Sequence, residues 1–353
     1  MALPLPYYLR IIRRCLMETW RIFGEALEPG EKKRLSLRVP MGGLSNVGRT
    51  FPDARKSEDY EMPAILVNGA KPGKTLLVTA GIHSGEYNGI PATIRVAREL
   101  DPERMSGRVI LIPCVNSSGF WTMHPRTLPE DDFNLNSQYP GRPDGTVGER
   151  LADFFVREIF PQVDFILDFH GGSRGERMTP LAFFPTHAKV REAALAAAMA
   201  MNIGFLIESQ ATKGEYSYAA AGLGIPGLLV ERGEGYFCDP EWVGDDRRDL
   251  LLLLDHLGIC PAPAGTRDAA LKRRVFREAV YLEAVREGVW HPAVQKNQPI
   301  QKGQCLGTLE DLFGDVLETV YAEHDGHVLY LNCGLAMPKG ELLVAYAVAA
   351  SEA

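Results

Sequence analysis

The sequence predicts an α/β fold, a mixed, largely parallel sheet flanked by helices, followed by a small C-terminal all-β domain. Three observations predict it. Short apolar runs alternate with helical patterns through the first 260 residues. Those runs are continuous rather than alternating, as suits strands covered on both faces. Beyond Cys260 the chain changes to short strand-like runs separated by Gly and Asn. The units expected are therefore 1–260 and 261–353.

The elements follow in order. The opening stretch, MALPLPYYLRIIRRCLMETW, has Arg10, Arg13 and Arg14 among its apolar residues. It lacks the apolar core and small-residue cleavage site of a secretory signal. Strands are expected at Leu76–Thr79, Val109–Val115, Phe165–Phe169, Leu181–Phe184 and Leu228–Val230, with helices at Ile90–Leu100, Gly148–Ile159, Ala188–Met201 and Asp249–Leu257. Pro261–Thr266 (PAPAGT) reads as a linker, and AVYLEAV, GHVLYLN and ELLVAYAVA read as strands of the β-domain. In parallel sheets ligands sit beyond the carboxyl ends of the strands, so polar residues there carry the functional signal.

Composition narrows the function. Hydrophobic residues make up 46% of the 353 and charged residues 24%, which is ordinary for a globular protein. Lys and Arg number 38 against 45 Asp and Glu, a net charge of -7, without the basic excess of a nucleic-acid binder. No run approaches the roughly 18 apolar residues of a membrane span. Six cysteines (Cys15, Cys114, Cys238, Cys260, Cys305 and Cys333) show no CxxC pair, against both a disulfide framework and a thiolate zinc site. The expectation is a cytoplasmic protein with a small-molecule substrate and no nucleic-acid or membrane partner. A homo-oligomer is left open.

The sharpest chemical signal is LLVTAGIHSGEYNGIPA. His83 and Glu86 form an H-x-x-E pair directly after a strand, where a single turn brings an imidazole and a carboxylate onto one ion. FILDFHGG puts His170 at the end of another strand, with Gly171 and Gly172 permitting close approach. A catalytic zinc site needs three such N/O ligands and one position left for water. Taken singly, each residue reads equally well as surface polarity or as a hydrogen-bonded core histidine. Together at strand ends, His83, Glu86 and His170 read as metal ligands, with Zn2+ the expected cofactor. Asp168, on the same side of its strand as His170, is placed to orient it.

Rival nucleophiles fail on spacing or setting. Gly81-Ile82-His83-Ser84-Gly85 is not the G-x-S-x-G of a serine elbow. Cys114 sits inside an apolar run and reads as packing. The segment PCVNSSGFWTMHPRTLPEDDFNLNSQYPG supplies Asn116, Arg126 and Asn136 after a strand. An arginine there can stabilise a developing oxyanion. In GIPGLLVERGEGY, Glu231 ends an apolar strand, where a carboxylate can take a proton from water and return it to a leaving nitrogen. Glu234, in the Gly-rich loop beyond, competes for that role.

These blocks, in this order, resemble the succinylglutamate desuccinylase/aspartoacylase family of the zinc carboxypeptidase-like superfamily. The family's G-x-H-G-D-E appears as Gly81-Ile82-His83-Ser84-Gly85-Glu86. Its N-P-x-G-F, R-x-x-P-x-D and D-L-N-R-x-F-P-G blocks appear as Asn116–Phe120, Arg126–Asp131 and Asn134–Gly141. D-x-H matches Asp168-Phe169-His170, and G-I-P-A-x-T-x-E matches Gly224–Glu231, which selects Glu231 over Glu234. The resemblance runs from about Ala64 to the C-terminus. It implies an eight-stranded α/β domain, a β-domain, and hydrolysis of N-acyl amino acids with one zinc.

Two positions depart from the family. The arginine that binds a substrate carboxylate is Ser137 here, and the aspartate that supports a ligand histidine is Asn134. Arg142 and Arg174 are the candidate replacements for the missing arginine. The β-domain also invites comparison with lipoyl and biotinyl carriers, but its hairpin tip, Glu310–Asp315, has no lysine to modify. The reading is a zinc-dependent amidohydrolase acting on a small N-acyl amino acid or related amide. A metallocarboxypeptidase and a catalytically silent binding protein are the alternatives.

Overall fold

The computed structural model describes residues 18–42 and 59–349. Residues 1–17 of the opening stretch, with Arg10, Arg13, Arg14 and Cys15, lie outside these described residues. A small hairpin, β1 (Trp20–Ile22) and β2 (Glu25–Leu27), precedes the antiparallel pair β3 (Glu31–Pro40) and β4 (Asp59–Asn68). Next come β5 (Lys71–Ala80), α1 (Gly89–Glu99), β6 (Ser106–Ile112), the short α2 (Ser117–Thr122) and α3 (Val147–Phe154). Then follow β7 (Phe165–His170), β8 (Glu176–Met178), β9 (Leu181–Pro185), α4 (Arg191–Ala200), β10 (Phe205–Ser209), α5 (Glu215–Tyr218), β11 (Gly227–Glu231) and α6 (Pro240–His256).

Beyond residue 260 come β12 (Arg274–Phe276), β13 (Ala279–Glu283), β14 (Gly288–Pro292), β15 (Pro299–Ile300) and β16 (Cys305–Glu310). The chain closes with β17 (Val316–Tyr321), β18 (Gly326–Asn332), β19 (Ala336–Met337) and β20 (Leu342–Val348).

Nine strands form the main sheet in the order β12-β10-β9-β11-β7-β5-β6-β4-β3. Strands β11, β7, β5 and β6 run parallel, as do β12, β10 and β9, and an antiparallel contact between β9 and β11 joins the two blocks. The sheet is mixed and largely parallel, as expected. Alternate residues of the same strands enter different cores. Leu77, Ile110, Ile166 and Leu229 pack with Leu151, Phe155 and Phe160 on one face. Leu76, Val78, Leu167 and Val230 pack with Val96, Ala197, Leu250 and Leu254 on the other. Burial on both sides explains why the central strands read as unbroken apolar runs.

Three expectations need correction. The strand at 109–115 is shifted to Ser106–Ile112, because Pro113 has no N–H to continue a central ladder. The last helix starts at Pro240 rather than Asp249. Asp239 caps it by accepting from the Glu241 N–H at 2.8 Å, and its polar first half is partly buried. The sheet has nine strands where the resemblance implies eight. One of the nine, β12, comes from beyond residue 260 and pairs in parallel with β10.

The remaining strands build the C-terminal part. One sheet runs β13-β20-β18-β15 with β8 added beside β18, and a second runs β17-β16-β14-β19. Strand pairing therefore crosses residue 260 twice, through β12 on β10 and β8 on β18. A shared core of Met178, Leu181, Phe205, Phe276, Leu329 and Tyr330 sits at that crossing. The β16–β17 hairpin presents Leu312 and Phe313 at its tip, both exposed.

One buried ionic strut fixes the end of β11. Arg232, only 2% exposed, pairs with Asp246 and with Asp249 (2.6 Å), both fully buried on α6. Removing the cation leaves two buried carboxylates without a counter-charge, although Asp249 still accepts from the Asn202 N–H at 2.6 Å. Arg232→Met is expected to lose about 3–5 kcal/mol of stability. Urea unfolding checks this, and a loss within the ~1 kcal/mol of an exposed pair would contradict it.

Candidate metal centre

Three neighbouring parallel strands, β5, β7 and β11, end on the same edge of the sheet. That edge gathers the site. The turn after β5 carries His83 and Glu86, with the Glu86 N–H donating to the His83 carbonyl at 3.1 Å. His170 is the last residue of β7, and Glu231, the last of β11, lies directly beside it in register.

His83, Glu86 and His170 come together, each offering one atom that could bind a metal, with all three within 4.8 Å of one another. His83 Nδ1 is 2.8 Å from Glu86 Oε1, and His170 Nδ1 is 2.9 Å from Glu86 Oε2. The two rings meet edge to face with centroids 5.0 Å apart. Burial pushes the Glu86 carboxyl up, but the two imidazoles outweigh it and hold it at about 2. Two imidazole nitrogens and a carboxylate form a donor set of the zinc type.

The far nitrogen of each imidazole is also engaged. His170 Nε2 lies 3.0 Å from Asp168 Oδ2, and His83 Nε2 lies 3.0 Å from Asn134 Oδ1. Outward donation from both Nε2–H groups would leave both Nδ1 atoms, which face Glu86, as the ligand atoms for an ion. Asn134 thus supplies the oxygen of the absent aspartate without its charge. Burial opposes a charged His170, yet Asp168 and Glu86 together raise its pKa well above the usual imidazole value.

Close packing explains two glycines. A Cβ on Gly85 would lie 2.5 Å from Pro125 and 2.7 Å from the Tyr236 ring, and one on Gly171 would lie 2.6 Å from the Arg232 carbonyl. The Gly171 N–H donates to Glu86 Oε2 at 3.1 Å, so the bare backbone itself steadies the carboxylate.

Glu231 stands at this edge with its Oε2 buried and without a hydrogen-bond partner. Burial pushes its carboxyl well above the ordinary range, against the pull of His170. Tyr330 of β18, part of the C-terminal sheet, interacts with the same carboxyl through its hydroxyl. Glu234 is tied instead to Lys296 in an ion pair. Arg126 follows Pro125, whose carbonyl accepts from the Gly85 N–H at 3.1 Å, so its loop is fastened to the turn bearing His83 and Glu86. Its guanidinium is 57% exposed and 4.0 Å from Glu341.

The expected substrate-binding residues divide. Asn116 is corrected: it is fully buried, its oxygen accepts from the Gly119 N–H at 2.9 Å, and its amide donates to the Thr127 carbonyl at 2.9 Å. Its side chain is committed to holding backbone in the interior. Asn136 Oδ1 accepts from the Glu215 N–H at 3.0 Å, a backbone task as well. Ser137 is exposed and donates to the Asn134 carbonyl at 2.7 Å. Arg142 is occupied by Glu149 through two bonds of 3.0 and 3.1 Å. Arg174 is exposed on the loop after Gly171 and Gly172, and its backbone hydrogen-bonds the Tyr236 hydroxyl.

Sequence reasoning missed Tyr236, Tyr330, Thr79 and Glu215. Only Tyr236 carries a local signal, the flanking Gly233 and Gly235 that let the loop fold over Gly85. Their backbones take φ of +123° and +55°.

Comparison with known proteins agrees with this architecture. A model of the succinylglutamate desuccinylase/aspartoacylase catalytic domain matches residues 72–257. The N-alpha-acetyl-L-2,4-diaminobutyric acid deacetylase of Halomonas elongata is 30% identical over 263 residues, which is 72% of this chain and 76% of the relative. A succinylglutamate desuccinylase/aspartoacylase structure from Rhodobacter sphaeroides has a TM-score of 0.78 at 26% identity, covering 91% of this chain and 96% of that one. The product-bound ectoine utilization protein EutE (DoeB) from Ruegeria pomeroyi shares the fold, with a TM-score of 0.78 at 24% identity over 90% and 95% of the two chains. The family model spans more than half of this sequence and takes in His83, Glu86, His170 and Glu231, so the chain belongs to the succinylglutamate desuccinylase/aspartoacylase family.

Proposed function

We propose that the protein is a zinc-dependent deacylase that hydrolyses the amide bond of a small N-acyl amino acid. One observation carries this reading: a His-Glu-His donor set at the carboxyl edge of the sheet lies beside a buried carboxylate with a free oxygen. The relative from Halomonas elongata, named for removing acetyl from a diamino acid, supports a short acyl group and an amine-bearing substrate.

His83, Glu86 and His170 would hold the ion, with Asn134 and Asp168 fixing the imidazoles. When bound, such an ion supplies a Lewis acid that polarises the amide carbonyl. The chain's own residues do the rest. Glu231 Oε2, having no internal partner, accepts a proton from the attacking water, and the same carboxyl delivers it to the departing nitrogen. Burial raises its proton affinity, and the charge of a bound ion would favour the ionised form that takes the proton. Arg126 donates to the carbonyl oxygen as negative charge develops there. Glu341, 4.0 Å away, is too distant to occupy the donors of the guanidinium.

Turnover of a panel of N-acetyl, N-succinyl and N-formyl amino acids, with metal quantified, tests the reading. N-acetyl amino acids with a second amine are expected to be cleaved fastest. Each should be run beside its carboxamide, because Arg142 is already paired with Glu149 and Arg174 is the exposed candidate for a substrate carboxylate. Loss of the preference for the free acid in Arg174→Ala would identify the reader. Preferential release of a C-terminal residue from a peptide would favour a carboxypeptidase. No turnover with metal bound would favour the silent binding protein.

A further inference from the structure

Behind His170 lies a buried group of polar side chains outside the chemistry described so far. Thr79 Oγ1 on β5 is 3.2 Å from Asp168 Oδ1 and 3.0 Å from Glu215 Oε1. The Tyr139 hydroxyl donates to Glu215 Oε2 at 3.4 Å. Thr79, Asp168 and Glu215 are all fully buried. Among the described residues neither carboxyl has a Lys or Arg ion-pair partner, and Asp168 has only His170.

Counting protons decides the arrangement. The Thr79 hydroxyl carries one hydrogen and lies between two carboxyl oxygens. If both carboxyls were ionised, one of these contacts would set oxygen against oxygen with no hydrogen between them. Two adjacent carboxylates would also share a dry interior without a matching cation. Asp168 receives the His170 Nε2–H, whereas Glu215 meets only hydroxyls, so Glu215 is the group that keeps its proton. Burial, and next to it the Asp168 charge, push its carboxyl well above the ordinary range. Every hydrogen then has an acceptor. Glu215 Oε1–H donates to Thr79, Thr79 donates to Asp168 Oδ1, and His170 donates to Asp168 Oδ2.

The same residue reaches the support of His83. Its backbone N–H donates to Asn136 Oδ1, and the Asn136 N–H donates at 2.9 Å to Asn134 Oδ1, the atom behind His83 Nε2. We propose that Glu215 is a positioning residue for the metal centre: as a neutral acid it holds Thr79, and through Thr79 the Asp168 carboxylate, in the orientation that aims His170 at the ion. This inference rests on reading His170 as a ligand.

Infrared difference spectra and chelator competition test it on the full chain, with circular dichroism to confirm folding. Wild type minus Glu215→Gln should show a carboxylic-acid carbonyl band, in apoprotein and metal-loaded protein alike. Glutamine can donate to Thr79 and accept from Tyr139 at the same two atoms, so Glu215→Gln should keep zinc affinity within about threefold. Thr79→Val, which cuts the link, should weaken zinc binding by about 10–100-fold, and Thr79→Ser should restore it. Absence of the band, or a loss in Glu215→Gln as large as in Thr79→Val, overturns the proposal while leaving the ligand reading intact. So does a Thr79→Val protein that binds zinc like wild type. A wild-type protein with no zinc affinity defeats the ligand reading and this proposal together.

Discussion

His170→Ala is expected to strip the protein of metal, taking it from about one ion per chain to none, and to abolish turnover with it. The imidazole is 4% exposed and held from both sides, by Glu86 at Nδ1 and Asp168 at Nε2. Alanine removes one of the three proposed ligands and leaves Asp168 facing a void that water cannot fill with the same geometry. His83→Ala should do likewise, since only Glu86 and one histidine would remain. Elemental analysis of the purified variants checks this directly. Full metal retention in both variants would remove the basis of the assignment.

Glu231→Gln should behave in the opposite way, keeping the metal and losing the reaction. Glutamine preserves the shape and can still interact with Tyr330, but its amide cannot take a proton from water. A fall in kcat of at least about a hundredfold is expected, equivalent to roughly 2.7 kcal/mol of lost transition-state stabilisation. The control is Glu234→Gln. Glu234 is paired with Lys296 and lies beyond the strand end, so the fall should be absent there. If instead Glu234→Gln is the inactive variant, the acid–base role belongs to Glu234 and Tyr330 has no part in it.

The central strands were legible because each is buried on both faces and therefore apolar along its whole length. The helices were legible wherever one face was apolar. The β3–β4 pair escaped notice because β3 is rich in Lys, Arg and Glu and mostly exposed. The front of α6 escaped because only two of its positions are buried, Val243 and Asp246, and one of them is acidic. The burial of Asp246 makes sense only once Arg232, the residue after β11, is seen against it.

The same division runs through the site. Sequence alone determined the α/β fold and its β-domain, the family to which the blocks belong, and the candidates His83, Glu86, His170, Arg126 and Glu231, because each is a reactive residue type set just beyond a strand or within a motif of fixed spacing. Tertiary structure alone decided what stands behind them. It assigned Asn116 to hold backbone, engaged Arg142 with Glu149, brought Tyr330 from the C-terminal sheet to Glu231, and closed the chain from Glu215 through Thr79 and Asp168 to His170. Those contacts join residues far apart in the chain. Hydrogen-bond donors and acceptors in a dry interior are paired by where the strands place them, and no local spacing records that pairing.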